Sequence, residues 1–138
     1  MKQIKTRIPL VLLVLMLVGF LFACGDPDAD PDASKLAEFP LEKALANGKP
    51  TLAEFGWRKC IPCKAMRPIL EELADEYKGK LNVLIVEIPY HEDLAEKYGI
   101  IVMPVQIFFD SNGNEVVRHG GFLPKEKIVA QLRAMGIK

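Results

Sequence analysis

The stretch Thr51-Leu-Ala-Glu-Phe-Gly-Trp-Arg-Lys-Cys60-Ile-Pro-Cys63-Lys-Ala-Met-Arg-Pro-Ile-Leu70 decides how this chain folds. Thr51 to Phe55 is a short run suited to a strand. Shortly after it comes Cys60-Ile61-Pro62-Cys63, and Ile61, Ala65, Met66, Ile69, Leu70, Leu73 and Tyr77 then trace one face of a long helix. Two thiols three residues apart in the first turn of a helix can exchange electrons as a dithiol or a disulfide. Taken alone, C-x-x-C is also compatible with half of a zinc site, a structural disulfide or chance. Tetrahedral zinc wants four ligands, and only His91 and His119 remain in the domain, without metal-site spacing. Both histidines are expected at the surface.

Downstream, Gly79 ends the long helix, and Pro68 inside it removes one hydrogen bond and should kink the axis. Leu81 to Ile88 is nearly all apolar, as a strand covered on both faces would be. His91 to Tyr98 reads as a short helix capped by Gly99, and Val105 to Phe109 as a second buried strand. Ser111-Asn112-Gly113-Asn114 marks a turn, because Asn-Gly accepts the positive φ angles of a tight hairpin. Glu115 to His119 should return antiparallel, and a last helix from Pro124 should bury Ile128, Val129, Leu132 and Met135. Upstream, Leu36, Phe39, Leu41, Ala44 and Leu45 lie at helical spacing, and Asn47-Gly48 followed by Pro50 stops that helix. The order αβαβαββα predicts an α/β fold with a mixed central sheet flanked by helices on both faces.

The N-terminal segment has a different character. Lys2, Lys5 and Arg7 precede Ile8 to Phe22, an uncharged Leu/Val-rich run of 15 residues, which has the anatomy of an export signal and is short for a membrane span of about 20 residues. It closes on Leu21-Phe22-Ala23-Cys24, which resembles the bacterial lipoprotein signal, so residues 1–23 are expected to be a signal peptide and Cys24 the lipid attachment site. An uncleaved anchor is the alternative. On either reading the working domain sits outside the cytoplasm, tethered to a membrane. Gly25 to Ser34 holds four acids, two prolines and no large apolar side chain, so residues 24–35 are expected to be an extended linker. Residues 36–138 form the expected folded domain.

Half of the chain's 138 residues are apolar, enough for one core plus a tail. Lys plus Arg and Asp plus Glu both number 18, so no basic surplus points to nucleic acid. Removal of the signal would take three basic groups and leave the mature chain mildly acidic.

Thr51-Leu-Ala-Glu-Phe, Cys60-Ile-Pro-Cys-Lys, Pro68-Ile-Leu, Lys97-Tyr-Gly-Ile, Met103-Pro-Val, the Asn-Gly hairpin and Gly121, in that order, resemble the thioredoxin family from about Phe39 to Met135. The resemblance implies a thioredoxin fold and a thiol:disulfide oxidoreductase with no organic cofactor and no metal. Cys60 would then be the attacking nucleophile at the helix N-terminus, where free amides and the helix dipole favour a thiolate. With Arg58, Lys59 and Lys64 nearby, its pKa is expected in the ~3.5 to 7.5 range of activated cysteines, whose examples include thioredoxin itself. Cys63 would be the resolving thiol, the pair forming a redox disulfide. Glu54 aligns with the family's buried acid and would shuttle protons to the deeper cysteine; its plainer reading is a surface acid at a strand end. Pro104 aligns with the family's cis-proline facing the cysteines, and Met103 would pair its backbone with a substrate strand, although a methionine there is also ordinary core. Trp57, Ile61 and Pro62 complete the expected substrate-binding surface. Two departures stand out: Lys59 occupies the usual tryptophan position, with Trp57 two residues earlier, and Ile85 replaces a lysine thought to assist the buried acid.

These residues predict a membrane-tethered, extracytoplasmic protein-disulfide reductase, because Ile-Pro lacks the basic residue of strongly oxidising pairs in some relatives. Its partners would be protein thiols and disulfides, apocytochrome c among the candidates, and a membrane electron-donor protein; a monomer is expected. The alternatives are a disulfide-forming oxidase and a copper carrier using Cys60, Cys63 and Met103 as soft ligands.

Overall fold

The computed structural model describes residues 40–138. The proposed signal peptide, Cys24, the linker and the start of the first helix at Leu36 and Phe39 lie outside the described residues. Within them the chain forms α1 (Leu41–Leu45), β1 (Thr51–Gly56), α2 (Ile61–Glu76), β2 (Asn82–Glu87), a 3-10 turn (Ile88–Tyr90), α3 (Glu92–Tyr98), β3 (Val105–Phe109), β4 (Glu115–Gly120) and α4 (Lys125–Ala134). The predicted order of helices and strands is the observed one.

The four strands lie in the order β2-β1-β3-β4. β1 pairs parallel with β2 and antiparallel with β3, and β3 pairs antiparallel with β4. All six residues of β1 are buried, so its alternating side chains feed two separate cores. Leu52, Val83, Ile85 and Phe108 point to one face, where Met66, Leu70 and Leu73 of α2 and Ile128 and Leu132 of α4 cover them. Ala53, Phe55, Val86, Ile107 and Phe109 point to the other, under Leu41 and Ala44 of α1 and Leu94 of α3. Burying each large side chain contributes about 1.5–3 kcal/mol, which is why short helices such as α1 hold their place.

Helix α2 runs without a break through Pro68, which sits on its exposed side, where the Lys64 carbonyl that loses a donor can turn to water. Gly99 closes α3 in the left-handed region, at φ 63°. The β3–β4 connection turns at the expected Asn112-Gly113, with Gly113 at φ 81°. It takes five residues, Asp110 to Asn114, with a bulge between Phe108 and Phe109. Asp110 organises it: its carboxylate accepts from the Asn112 and Asn114 amides at 2.9 and 2.8 Å, bonds that also hold its pKa below the usual value. Among the described residues no helix is long and apolar enough to cross a membrane.

Candidate active site

The C-terminal ends of β1 and β2 and the loops entering β3 and leaving β4 meet at one edge of the sheet. At that edge β1 passes through a turn at Trp57–Lys59 into Cys60, whose amide donates to the Trp57 carbonyl at 2.9 Å. Cys60 is the N-cap of α2: its backbone is extended (φ −81°, ψ 127°), and its Sγ accepts from the Cys63 amide at 3.4 Å. Pro62 stands at the second helical position, where a missing N–H costs nothing. The first turn of α2 carries no acidic residue, so nothing there offsets the positive helix end.

Cys60 and Cys63 form a disulfide with Cα atoms 5.3 Å apart. Their access differs. Cys60 is half-buried, whereas Cys63 is only 6% exposed. An incoming sulfur nucleophile therefore meets Cys60, and Cys63 can act only from within.

Glu54 lies behind the disulfide rather than at the surface. It is 1% exposed, on the face of β1 that packs under α2. Burial, and then the nearby Glu87 carboxylate, push its pKa up from 4.5 to about 8, with Arg67 opposing the rise. With the disulfide closed, Glu54 is thus mainly a neutral acid at pH 7. It shares a cavity of about 10 Å³ with Trp57, Cys63, Arg67, Ile85 and Glu87, a volume on the order of one water. The deeper cysteine and the buried acid therefore border a single small space.

Three residues that shape this space carried no sequence signal of their own. Gly56 is the first: a Cβ there would fall 2.9 Å from Glu54 Cδ and Oε2 and closer still to Oε1, so the absent side chain makes room for the carboxyl. Arg67 and Glu87 are the others. Glu87 accepts from the Arg58 amide at 2.9 Å and from Arg67 Nη2 at 3.1 Å, joining the loop before Cys60 to the helix that carries Cys63. The strand lysine absent at Ile85 is thus matched by a cation arriving from α2.

The Met103–Pro104 peptide bond is cis, and Pro104 is buried, its carbonyl accepting from the Gly121 amide at 2.7 Å. Since Val105 pairs with Phe55, Met103 and Pro104 continue past the same sheet edge at which the cysteines sit. Ile61 is 82% exposed, Ile101 93% and Met103 39%, and Tyr90, Val102 and Phe122 are exposed as well. Trp57 is half-buried, with Lys59 Nζ 5.6 Å from the ring centre. Pro62 is exposed beside Ile61. Arg58 bonds the Tyr90 hydroxyl at 2.9 Å. His91 and His119 are both exposed, and among the described residues no group of three or more His, Cys, Asp or Glu converges to hold a metal ion.

The sequence matches the family model for thioredoxin over residues 33–134. The chain belongs to the thioredoxin family. It is 41% identical over 83 residues to Thioredoxin C-2 of Corynebacterium nephridii, which covers 59% of this chain and 74% of that protein. It is 32% identical over 97 residues to the thioredoxin of Alicyclobacillus acidocaldarius, covering 70% of this chain and 91% of the relative. The thioredoxin-like protein HCF164, chloroplastic, of Arabidopsis thaliana aligns along 97% of this chain at 28% identity, over 52% of its own length. With its Cys60–Cys63 disulfide, this thioredoxin-family member is a thiol:disulfide oxidoreductase acting on protein thiols and disulfides.

Proposed function

We propose that this thioredoxin-family protein is a membrane-tethered, extracytoplasmic reductase of protein disulfides. The observation that carries the chemical reading is the small cavity lined by both Cys63 and the buried, proton-holding Glu54. In the reduced protein the Cys60 thiolate attacks a substrate disulfide; a bond forms to Cys60, and the second substrate sulfur leaves as a thiolate. Cys63 then gives its proton to the Glu54 carboxylate and attacks Cys60 Sγ, which closes the disulfide and expels the reduced substrate. Two electrons pass to the substrate, and Glu54 ends protonated. When a dithiol donor reopens the disulfide, that proton returns to the Cys63 thiolate.

The exposed apolar side chains of Ile61, Ile101 and Met103 suit a polypeptide substrate that pairs its backbone with Met103. The export-type segment before residue 24 and the acidic linker support a lipid anchor at Cys24 and a place outside the cytoplasm. There a reductase needs recharging, which fits a membrane electron-donor protein, and apocytochrome c is a fitting client. The direction rests on Ile61-Pro62 between the cysteines.

The potential of the Cys60/Cys63 couple tests that direction. A value near the about −270 mV of thioredoxin supports a reductase, and one near about −120 mV makes the protein an oxidase. Stoichiometric copper(I) binding without reduction of insulin would replace the enzymatic reading with a carrier. Labelled fatty acid incorporated by the full chain and lost in Cys24→Ala tests the anchor.

A further inference from the structure

Among the described residues, the buried side-chain nitrogen and oxygen atoms without a hydrogen-bond partner are Glu54 Oε1 and both polar atoms of Gln106. They belong to one cross-strand pair. Glu54 on β1 stands directly opposite Gln106 on β3, so the two side chains leave the sheet on the same face with Cβ atoms roughly 4.5–5.5 Å apart. Gln106 is 0% exposed and lies between Phe108, in the core under α2 and α4, and the buried Pro104. A buried carboxamide with neither end satisfied bears the full desolvation penalty of its polar atoms. An apolar side chain of the same size would avoid it.

The charge cycle of Glu54 supplies a use for that amide. A neutral carboxylic acid needs little from its surroundings, whereas a buried carboxylate is acceptor-only and requires donors. Around Glu54, β2 presents Ile85 and Glu87, while α2 presents Cys63, Lys64 and Arg67 and the preceding turn presents Arg58. Arg67 is already committed to Glu87 at 3.1 Å. β3 presents Gln106, beyond which the exposed His119 of β4 is next in register. Gln106 Nε2 is thus an unpartnered buried donor beside an acid that becomes an anion once per turnover.

We propose that Gln106 is a positioning residue for Glu54: when Glu54 is ionised, the Gln106 carboxamide donates an Nε2–H bond to it and holds the carboxylate ready to take the Cys63 proton. In the disulfide state Glu54 carries a proton and the bond is open. The inference rests on the reading of Glu54 as the proton acceptor for Cys63. The amide is uncharged throughout and no atom is transferred to it.

The test uses Ellman's reagent, 5,5′-dithiobis(2-nitrobenzoate), on the reduced protein. Attack by Cys60 releases one thionitrobenzoate and leaves the second bound in a mixed disulfide; attack by Cys63 then expels it. The second release, followed by stopped flow across pH, reads the Glu54-dependent step. In Gln106→Met its midpoint should rise by about one unit and its rate at pH 7 fall about ten-fold, with the first release unchanged. Urea unfolding of the same variant should show stability equal to or above that of the parent protein. A midpoint that stays in place while only stability changes overturns the inference. Glu54→Gln separates the two ideas. If it leaves the second release unchanged, the proton-acceptor reading fails; if it slows that release while Gln106→Met does not, only the role of Gln106 fails. A measurement on the unsubstituted protein covers a variant that does not fold: the Gln106 side-chain amide resonances of the reduced form should titrate with the Glu54 carboxyl, and resonances that stay fixed through that midpoint would sink the proposal.

Discussion

Replacing Glu54 by Gln should make the disulfide form more stable by an amount that depends on pH. In the folded chain the Glu54 pKa is raised from 4.5 to about 8, first by burial and then by Glu87. Between those values the folded protein holds one proton that the unfolded chain has released, so the Glu54 contribution to stability falls as pH rises. It is fully present below pH 4.5 and is lost as pH climbs through about 8. The whole loss is about 5 kcal/mol, of which about 3 kcal/mol has accrued at pH 7. Gln has no such titration. Its extra N–H group adds an offset, but one that does not vary with pH, so the slope is the quantity to read. Urea unfolding of both proteins, kept oxidised, at half-unit steps from pH 4 to 9 should give a stability difference that grows by about 1.4 kcal/mol per unit between pH 5.5 and 7.5 in favour of the variant. It should flatten above pH 8.5. A constant difference across this range would mean that Glu54 is ionised in the folded state and would refute the assignment of a buried neutral acid behind Cys63.

Gly56→Ala places a methyl group against the Glu54 carboxyl, whose Cδ must retreat by roughly half an ångström and whose Oε1 by about 1 Å to reach ordinary contact. Overpacking should lower stability by about 1–3 kcal/mol, and displacing the acid from Cys63 should slow the second thionitrobenzoate release by about 10²-fold with the first release intact; an unaltered second release would show that the carboxyl is not held over Gly56. Glu87→Gln removes an anion that raises the Glu54 pKa and frees Arg67 to lower it, so the pH midpoint of that release should move down, while Arg67→Met should move it up; both variants should lose about 1–3 kcal/mol, and shifts in the opposite senses would contradict the placement of the pair.

Much of this arrangement was legible in the sequence because it depends on local rules. The helical spacing behind Cys63 marked α2, the nearly unbroken apolar runs marked β2 and β3 as buried strands, and alignment with the family's buried acid marked Glu54. Residues whose meaning lies in their neighbours were not. Glu87 reads as an acid at the end of a strand and Arg67 as one more charge on a helix; only the folded chain brings them to 3.1 Å. Gly56 matters for a side chain it lacks. Gln106 interrupts an apolar run just as Glu54 does, but its register opposite Glu54 is set by the pairing of β1 with β3, which no short window of sequence reveals. The hairpin turn at Ser111-Asn112-Gly113-Asn114 was legible, with Gly113 at φ 81°, but the part of Asp110, which gathers the loop amides from one residue ahead, was not.

The burial of Cys63 bears on time as well as on chemistry. Cys63, a residue 6% exposed and bonded to Cys60, is shielded from thiols in the surrounding medium. On the proposed mechanism, a protein joined to Cys60 is released when the neighbouring sulfur displaces it, a first-order event with a rate constant belonging to the folded domain. The duration of each covalent encounter is then an internal clock, independent of how much free thiol the compartment contains, and the residues around Glu54 set its period.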